Sequence, residues 1–259
     1  METVNREHCS VRLMVIDIDG CLSPGLFQPF DLSNLQKLAD VNKQSKTNPL
    51  YPPVTICTGR PEPYAEAILQ LLGAYYPAIC EHGGILCSVN PPVMEINPKL
   101  PAELPDELLR LKHHLYAAKK NGSDFLLEPG KETHCTVFVK PPSTMESLHL
   151  ILSEIMTKGN LPFLIKPGRE CFNIFPHILH KGMGIEWLAE QSGIPAATMA
   201  GVGDSDNDVP FLEKVGFPST VSNGSEKTKQ VKNCYISKLR DIEGVLDFYQ
   251  HCVELNKKN

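Results

Sequence analysis

The chain has 259 residues, which is enough to bury a substantial core, and 42% of them are hydrophobic. A formal net charge of -5 without any basic run argues against a general nucleic-acid or anionic-membrane surface. No apolar stretch reaches the length of a bilayer span and no signal-peptide segment is seen, so we expect a cytosolic location and no membrane partner.

The first predicted strand covers residues 11–16 and leads into Asp17-Ile18-Asp19-Gly20. Its apolar run predicts a buried strand. Because side chains alternate along an extended backbone, Asp17 and Asp19 should lie on one side, with Ile18 turned away. Two acids held together at the end of an apolar strand repel each other, and a bound cation, a shared proton or both would offset that repulsion.

Helix and strand alternate after this segment. The pattern predicts a helix over 32–41, a strand over 54–57, a helix from Pro61 to Gly73 and a strand over 78–80. Thr58-Gly59-Arg60 follows the second strand, and Glu81-His82-Gly83-Gly84 follows the third.

The alternation is interrupted over 90–106, where prolines are dense enough to mark a boundary. Beyond it the pattern predicts a helix near 103–119, a strand at 134–140, a helix near 144–157, and strands around 162–166 and 171–175. A capping box of Ser143 and Glu146 is expected to start the second of these helices. This order is typical of a compact α+β unit rather than of a continued parallel sheet.

The alternation resumes at Lys181. The predicted elements are a helix to Gly193, a strand at 198–202, a helix from Asp208, a strand at 217–221, a helix near 226–232, a strand at 235–236 and a last helix from Asp241. The predicted fold is therefore α/β, with a doubly wound, Rossmann-like parallel-sheet core formed by residues 1–83 and 178–259. An α+β cap domain is expected over residues 84–177.

The cysteines predict neither disulfides nor a zinc site. There are nine, an odd number, and none forms a Cys-x-x-Cys pair. We expect reduced and mostly buried thiols. His177 and His180 have the spacing of a zinc pair, but no further ligand cluster accompanies them, and we interpret the spacing as coincidence.

Three predicted strands end in polar clusters. Because the carboxyl ends of parallel strands share one edge of a sheet, the clusters should meet there: Asp17 with Asp19, Thr58-Gly59-Arg60, and Gly203-Asp204-Ser205-Asp206-Asn207-Asp208. Several carboxylates around one point suit Mg²⁺. The hydroxyl of Thr58 and the charge of Lys181 match the oxygens of a phosphate group.

This donor set suggests phosphoryl chemistry. Asp17 could attack phosphorus to form an aspartyl-phosphate. Asp19 is placed to protonate the leaving oxygen and later to deprotonate the attacking water. Each motif alone is more often a turn, a helix cap, a calcium loop or a surface lysine. Their joint occurrence, in this order and at strand ends, favours the functional interpretation.

These four motifs resemble those of the haloacid dehalogenase-like hydrolase superfamily, and the large cap resembles its Cof-type (IIB) branch, which includes sucrose-phosphate, mannosyl-phosphoglycerate and phosphoglycolate phosphatases. The resemblance implies Asp17 as nucleophile and Asp19 as general acid/base. It implies a Mg²⁺ site formed by Asp17, Asp19 (through its backbone carbonyl) and Asp204, with Asp208 supporting the metal or its waters. It also implies a phosphoryl group bound by Thr58 and Lys181 with help from Asn207, and Gly59 and Arg60 are further candidates for binding phosphate or substrate. Two positions depart from the usual pattern: Cys21 replaces a threonine and His82 an asparagine.

The expected activity is hydrolysis of a small phosphorylated metabolite, such as a sugar phosphate or a phosphoglycolate-like acid. A phosphomutase and a catalytically inactive binding protein of the same fold are the alternatives. In the cap, Lys166 and Arg169 could meet a second anionic group, although solvated charges at an exposed hairpin turn explain them better. Arg60 is the stronger candidate for substrate contact. The oligomeric state cannot be read from the chain.

Overall fold

The computed structural model describes residues 10–168 and 170–258, and its backbone divides into two compact units. One unit joins the described residues up to Asn97 to those from His180 onward, and the other covers Pro98–Leu179. The strands are β1 (Leu13–Ile16), β2 (Val54–Ile56), β3 (Ala78–Cys80), β4 (Ile85–Val89), β5 (Pro92–Ile96), β6 (Phe125–Leu127), β7 (Cys135–Val139), β8 (Phe163–Pro167), β9 (Cys171–Pro176), β10 (Met199–Val202), β11 (Phe217–Thr220) and β12 (Tyr235–Ile236). The helices are α1 (Leu32–Ser45), α2 (Glu62–Leu72), α3 (Leu104–Lys120), α4 (Met145–Gly159), α5 (Lys181–Ser192), α6 (Val209–Leu212), α7 (Glu226–Lys229) and α8 (Asp241–Lys258).

A parallel sheet of five strands forms the centre of the first unit, in the order β12-β11-β10-β1-β2. The predicted α/β class with a parallel sheet is confirmed. The first strand lies between β2 and β10, and Ile16 pairs with Ile56 on one side and Val202 on the other. The three strands therefore end at the same level, which brings the segments that follow them to one edge of the sheet.

The sheet is covered on both faces. Met14 and Ile16 of β1 join a buried apolar cluster with α1, α2 and α8, whereas Leu13 and Val15 join a second cluster with α5 and α6. This alternation explains why β1 reads as a continuous apolar run: both of its faces are buried. No helix among the described residues combines the length and apolar character needed to cross a membrane.

The boundary of the inserted unit differs from the predicted residues 84–177. Strands β4 and β5 form a hairpin that pairs antiparallel with β3, so the chain up to Asn97 belongs to the first unit, and the second unit covers Pro98–Leu179. Of the prolines that indicated a boundary, Pro91 lies in the hairpin turn and Pro92 begins β5, an edge strand. An edge strand tolerates proline because one side of its backbone needs no partner.

The second unit is an antiparallel sheet in the order β6-β7-β9-β8, with an apolar core shared with α3 and α4. It has the predicted α+β character. The capping box of α4 is formed by Thr144 and Ser147 rather than by Ser143 and Glu146. The helix therefore begins one residue later than the sequence pattern indicates.

The last turn of α8 is joined to the segment that precedes β1. The side chain of Asn256, which is 6% exposed, accepts a hydrogen bond from the Val11 N–H at 2.8 Å. It also donates to the carbonyl oxygens of Val11 at 3.0 Å and Leu50 at 3.2 Å. We expect Asn256→Ala to lower the free energy of unfolding by about 3 kcal/mol, because buried backbone groups lose their partners.

Chemical denaturation measures this effect. Gln250→Ala, at an exposed position of the same helix, is the control and should change the free energy of unfolding by less than about 0.5 kcal/mol. Equal effects of the two substitutions would show that the side chain of Asn256 contributes no more than helix propensity.

Candidate active site

The two acids after β1 have different environments. The backbone N–H of Asp17 donates to the carbonyl of Val202 at 2.9 Å, which continues the β1–β10 pairing by one residue. The Asp17 side chain is 8% exposed, and that of Asp19 is 23% exposed. Ile18 between them is fully buried. The carboxylate of Asp17 therefore lies inside the fold, whereas that of Asp19 is partly exposed to solvent.

Gly20 permits the loop after β1 to approach the loop after β10. Its φ of +100° is a conformation that L side chains rarely adopt. A Cβ atom at this position would also overlap the carboxylate of Asp204. Both facts require glycine here, and the resulting close approach brings Asp204 towards the carboxylates of the first loop.

Three carboxylates meet at this edge of the sheet. Asp17, Asp204 and Asp208 each offer one oxygen atom, these atoms lie within 4.8 Å of one another, and all three residues are buried. The Nζ atom of Lys181, the first residue of α5, lies 2.7 Å from Asp17 Oδ1 and 2.5 Å from Asp208 Oδ1. The structure thus brings together four residues from three separate segments of the sequence.

Asp208 also organises the loop that carries Asp204. Its Oδ2 atom accepts hydrogen bonds from the N–H groups of Asp204 at 3.0 Å and Ser205 at 2.8 Å, and from the Ser205 hydroxyl at 2.9 Å. One carboxylate oxygen thus holds the loop and the other holds Lys181. Asn207, in the turn just before Asp208, is half-buried.

The electrostatics follow from burial. Burial raises the pKa of Asp17, repulsion from Asp208 raises it further, and Lys181 opposes both effects. Burial alone would lower the pKa of Lys181, but attraction to the two carboxylates outweighs it and raises that pKa well above its usual range. Lys181 is therefore a permanent cation in the site.

The donor set fits a divalent cation. When all three carboxylates are ionised, they and the ammonium group carry a formal charge of -2, which a divalent ion would cancel. The available atoms are hard oxygen ligands of the kind that Mg²⁺ prefers. Among the described residues, these three are the one group of three or more His, Cys, Asp or Glu side chains whose ligand atoms lie close enough to hold a metal ion.

The segment after β2 carries the residues expected to contact phosphate. Thr58 is 1% exposed, and its Oγ1 atom accepts the Arg60 N–H at 3.1 Å. A Cβ atom on Gly59 would lie 2.6 Å from the imidazole ring of His82, so glycine is needed for that ring to pack here. The guanidinium of Arg60 binds the carboxylate of Asp19 through two contacts of 2.8 Å, a pair that the sequence did not reveal.

The turn after β3 has a strained backbone. Glu81 and His82 both have positive φ angles, +49° and +56°, and both side chains are buried. Such conformations in residues other than glycine cost of the order of 1–3 kcal/mol each and concentrate at functional sites. Their N–H groups bond the carbonyls of Arg60 and Thr58 at 3.1 Å, so this turn is fixed directly to the segment after β2.

Of the remaining candidates, Cys21 and Lys166 lie within the described part of the chain. Burial and the neighbouring carboxylates hold the pKa of the Cys21 thiol well above its usual range, so it stays neutral. In the second unit, the Nζ atom of Lys166 lies 5.1 Å from the centre of the Phe175 ring. Arg169 lies outside the described residues.

Comparison with known proteins gives one family. Residues 106–248 match the family described as haloacid dehalogenase-like hydrolase. The phosphoglycolate phosphatase of Methanopyrus kandleri is 24% identical over 242 residues, 93% of this chain and 97% of that protein. The phosphoglycolate phosphatase of Methanothermobacter thermautotrophicus is 26% identical over 92% of this chain and 96% of that protein.

Solved structures share the fold. A crystal structure of a Thermoplasma acidophilum protein has a TM-score of 0.71 at 18% identity, covering 95% of this chain and 99% of that one. The sucrose-phosphatase of Synechocystis, in complex with sucrose and phosphate, has a TM-score of 0.61 at 15% identity, covering 94% of this chain and 98% of that one. At these identities the likeness concerns the fold.

Lys181→Met tests the charge balance of the carboxylate cluster. With the shared cation gone, we expect the free energy of unfolding at pH 8, in the presence of chelator, to fall by about 3–5 kcal/mol. The loss should be smaller at pH 5. The pKa of Asp17 is raised from 3.8 to about 7 in the folded state. Between these two pH values the folded state binds more protons than the unfolded chain, so the free energy of unfolding decreases as the pH rises from one value to the other.

Denaturant unfolding at the two pH values makes the measurement. Lys214→Met is the control, because the Lys214–Glu186 pair is exposed on both sides and should contribute less than about 1 kcal/mol at either pH. A pH-independent loss in Lys181→Met would mean that packing of the lysine, rather than its charge, stabilises the site.

Proposed function

The chain belongs to the haloacid dehalogenase-like hydrolases, and we propose that within this family it is a Mg²⁺-dependent phosphatase that acts on a small phosphorylated metabolite through an aspartyl-phosphate. It is a phosphoric monoester hydrolase, like the phosphoglycolate phosphatases that match it over more than nine-tenths of its length. The observation that supports the mechanism most directly is the contact between the Nζ atom of Lys181 and one carboxylate oxygen of Asp17.

In the first half of the proposed reaction, Asp17 attacks phosphorus. Lys181 holds Oδ1 of this carboxylate at 2.7 Å, which orients it so that attack falls to Oδ2. A bond forms between that oxygen and phosphorus while the ester oxygen leaves with the bonding electron pair. Asp19, the more exposed of the two acids, gives its proton to the leaving oxygen.

In the second half, water releases phosphate from Asp17. Asp19 takes a proton from the water as the new oxygen–phosphorus bond forms and the bond to Asp17 breaks, which restores both side chains. Thr58 and Lys181 bind the phosphoryl oxygens. Asp17, Asp204, Asp208 and the backbone carbonyl of Asp19 would hold Mg²⁺, which supplies positive charge that offsets the repulsion between an anionic nucleophile and an anionic phosphate.

The proposed substrate class is a phosphate monoester of a small alcohol, either a sugar or a hydroxy acid. The full-length similarity to phosphoglycolate phosphatases supports the hydroxy acid. The fold shared with a sucrose-phosphatase supports the sugar. A panel of phosphorylated metabolites assayed with Mg²⁺ separates the two.

We further propose that the enzyme works in the cytosol. None of the eight described cysteines forms a disulfide, and seven of them are buried. A chain with this many reduced thiols suits a compartment that keeps thiols reduced.

Asp17→Asn tests the nucleophile. An amide cannot form the phosphorylated intermediate, so we expect almost complete loss of phosphate release from p-nitrophenyl phosphate and from the best metabolite of the panel, with the protein still folded. The control is Asp40→Asn, an exposed acid on α1, which should keep the normal rate. A near-normal rate in Asp17→Asn would contradict covalent catalysis by this residue.

The same assay discriminates the alternatives. Interconversion of sugar phosphates without release of phosphate would identify a mutase. Substrate binding without any turnover in the wild type would identify an inactive binding protein.

Metal binding is tested by thermal unfolding after treatment with chelator. Mg²⁺ at about 100 times its dissociation constant should stabilise the wild type by about 2.7 kcal/mol. Asp204→Asn should lose this stabilisation, yet its metal-free form should be at least as stable as the metal-free wild type, because one of three repelling charges has gone. Asp40→Asn should keep the normal response, and an equal response of Asp204→Asn would rule out Asp204 as a ligand.

A further inference from the structure

Arg60 binds Asp19 through both oxygen atoms of the carboxylate. Its Nε atom donates to Oδ2 and its Nη2 atom donates to Oδ1, each at 2.8 Å. A planar guanidinium that makes two parallel hydrogen bonds fixes the plane of a carboxylate, which a lysine ammonium cannot do. The side chain of Asp19 is thus held in one orientation although it is 23% exposed.

The arginine is itself held on several sides. Its backbone N–H donates to Thr58 Oγ1 at 3.1 Å, and its carbonyl accepts the Glu81 N–H at 3.1 Å. Its guanidinium carbon lies 4.9 Å from the centre of the Tyr64 ring and 5.9 Å from that of Phe27. These contacts order the arginine before any substrate arrives.

We propose that Arg60 is a positioning residue for Asp19, held by Tyr64 and Phe27, and that it aims the carboxylate at the leaving oxygen and at the attacking water. This inference rests on the proposed phosphatase activity. Asp19 gives its proton to the leaving oxygen in the first half of the reaction and regains one from water in the second. Between the two halves it is an ionised carboxylate, the form that a bidentate arginine stabilises best.

A residue that acts through the general acid has an effect that depends on the leaving group. An alkoxide is a poor leaving group and needs its proton during bond cleavage, whereas p-nitrophenolate leaves readily without one. Loss of Arg60 should therefore slow the hydrolysis of alkyl phosphates much more than that of p-nitrophenyl phosphate. A phosphate-binding arginine would affect both substrates alike, since both present the same phosphoryl group.

The experiment compares Arg60→Met with the wild type on 2-phosphoglycolate, or on the best alkyl phosphate of the panel, and on p-nitrophenyl phosphate. General acid–base catalysis contributes about 10²–10⁴-fold. We expect kcat for the alkyl phosphate to fall about 100-fold or more and kcat for p-nitrophenyl phosphate to fall less than about 10-fold, with KM little changed. Arg110→Met, which removes an exposed arginine of the second unit, should leave the ratio of the two rates unchanged.

Four further variants make the test decisive. Asp19→Asn should show the same leaving-group pattern, and the double variant Arg60→Met/Asp19→Asn should be no slower than Asp19→Asn alone, because the arginine acts through the acid. Arg60→Lys, which keeps the charge without the fork, should recover only part of the loss. Tyr64→Leu should change the ratio in the same direction to a smaller extent, and it provides the test if Arg60→Met does not fold.

The outcomes are distinguishable. Equal losses on both substrates, or a rise in KM alone, would overturn the positioning role while leaving the phosphatase intact. Absence of turnover in the wild type on every phosphate ester would instead overturn the proposed function.

Discussion

Mutual repulsion of buried carboxylates is the constraint around which this fold is arranged. Asp17, Asp204 and Asp208 place oxygen atoms within 4.8 Å of one another in the interior, where water screens their charges least. Pairing of β1 with β10 fixes the distance between the first two, and Gly20 leaves room for their approach. The apolar clusters on the two faces of β1 offset the stability that is lost through repulsion between the carboxylates.

Two cationic side chains, those of Lys181 and Arg60, contact different acids. Lys181 is a point charge at the start of a helix, and it contacts the buried acids Asp17 and Asp208. Arg60 is a planar fork, and it holds the more exposed Asp19. The division matches the proposed chemistry, in which Asp17 as nucleophile needs one oxygen oriented, while Asp19 as proton carrier needs its whole carboxylate oriented and access to water.

The sequence predicted the fold correctly where a local pattern is compatible with only one structure. Apolar runs that end in acids, hydroxyls and glycines predicted the parallel strands and the shared edge, because the period of a buried strand and the place of its ligands follow from backbone geometry. The Arg60–Asp19 pair was not predictable, since it depends on the rotamers of side chains 41 positions apart. The edge strand β5 was missed because its prolines also suit a linker, and the positive φ of His82 leaves no mark in the residue type.

The position of β1 at the centre of the sheet has a consequence for how the molecule is made. Residues 13–16 leave the ribosome well before one of their two neighbouring strands, Met199–Val202, which follows only after the whole second unit, about 10 to 40 s later at ordinary rates of synthesis. The bond between Val11 and Asn256 spans 245 positions and forms later still. A nascent chain therefore carries Asp17 at the end of a strand with one side unpaired, and the apolar edge of that strand is an aggregation hazard until Met199–Val202 has been made. The second unit has a core of its own and can fold during that interval.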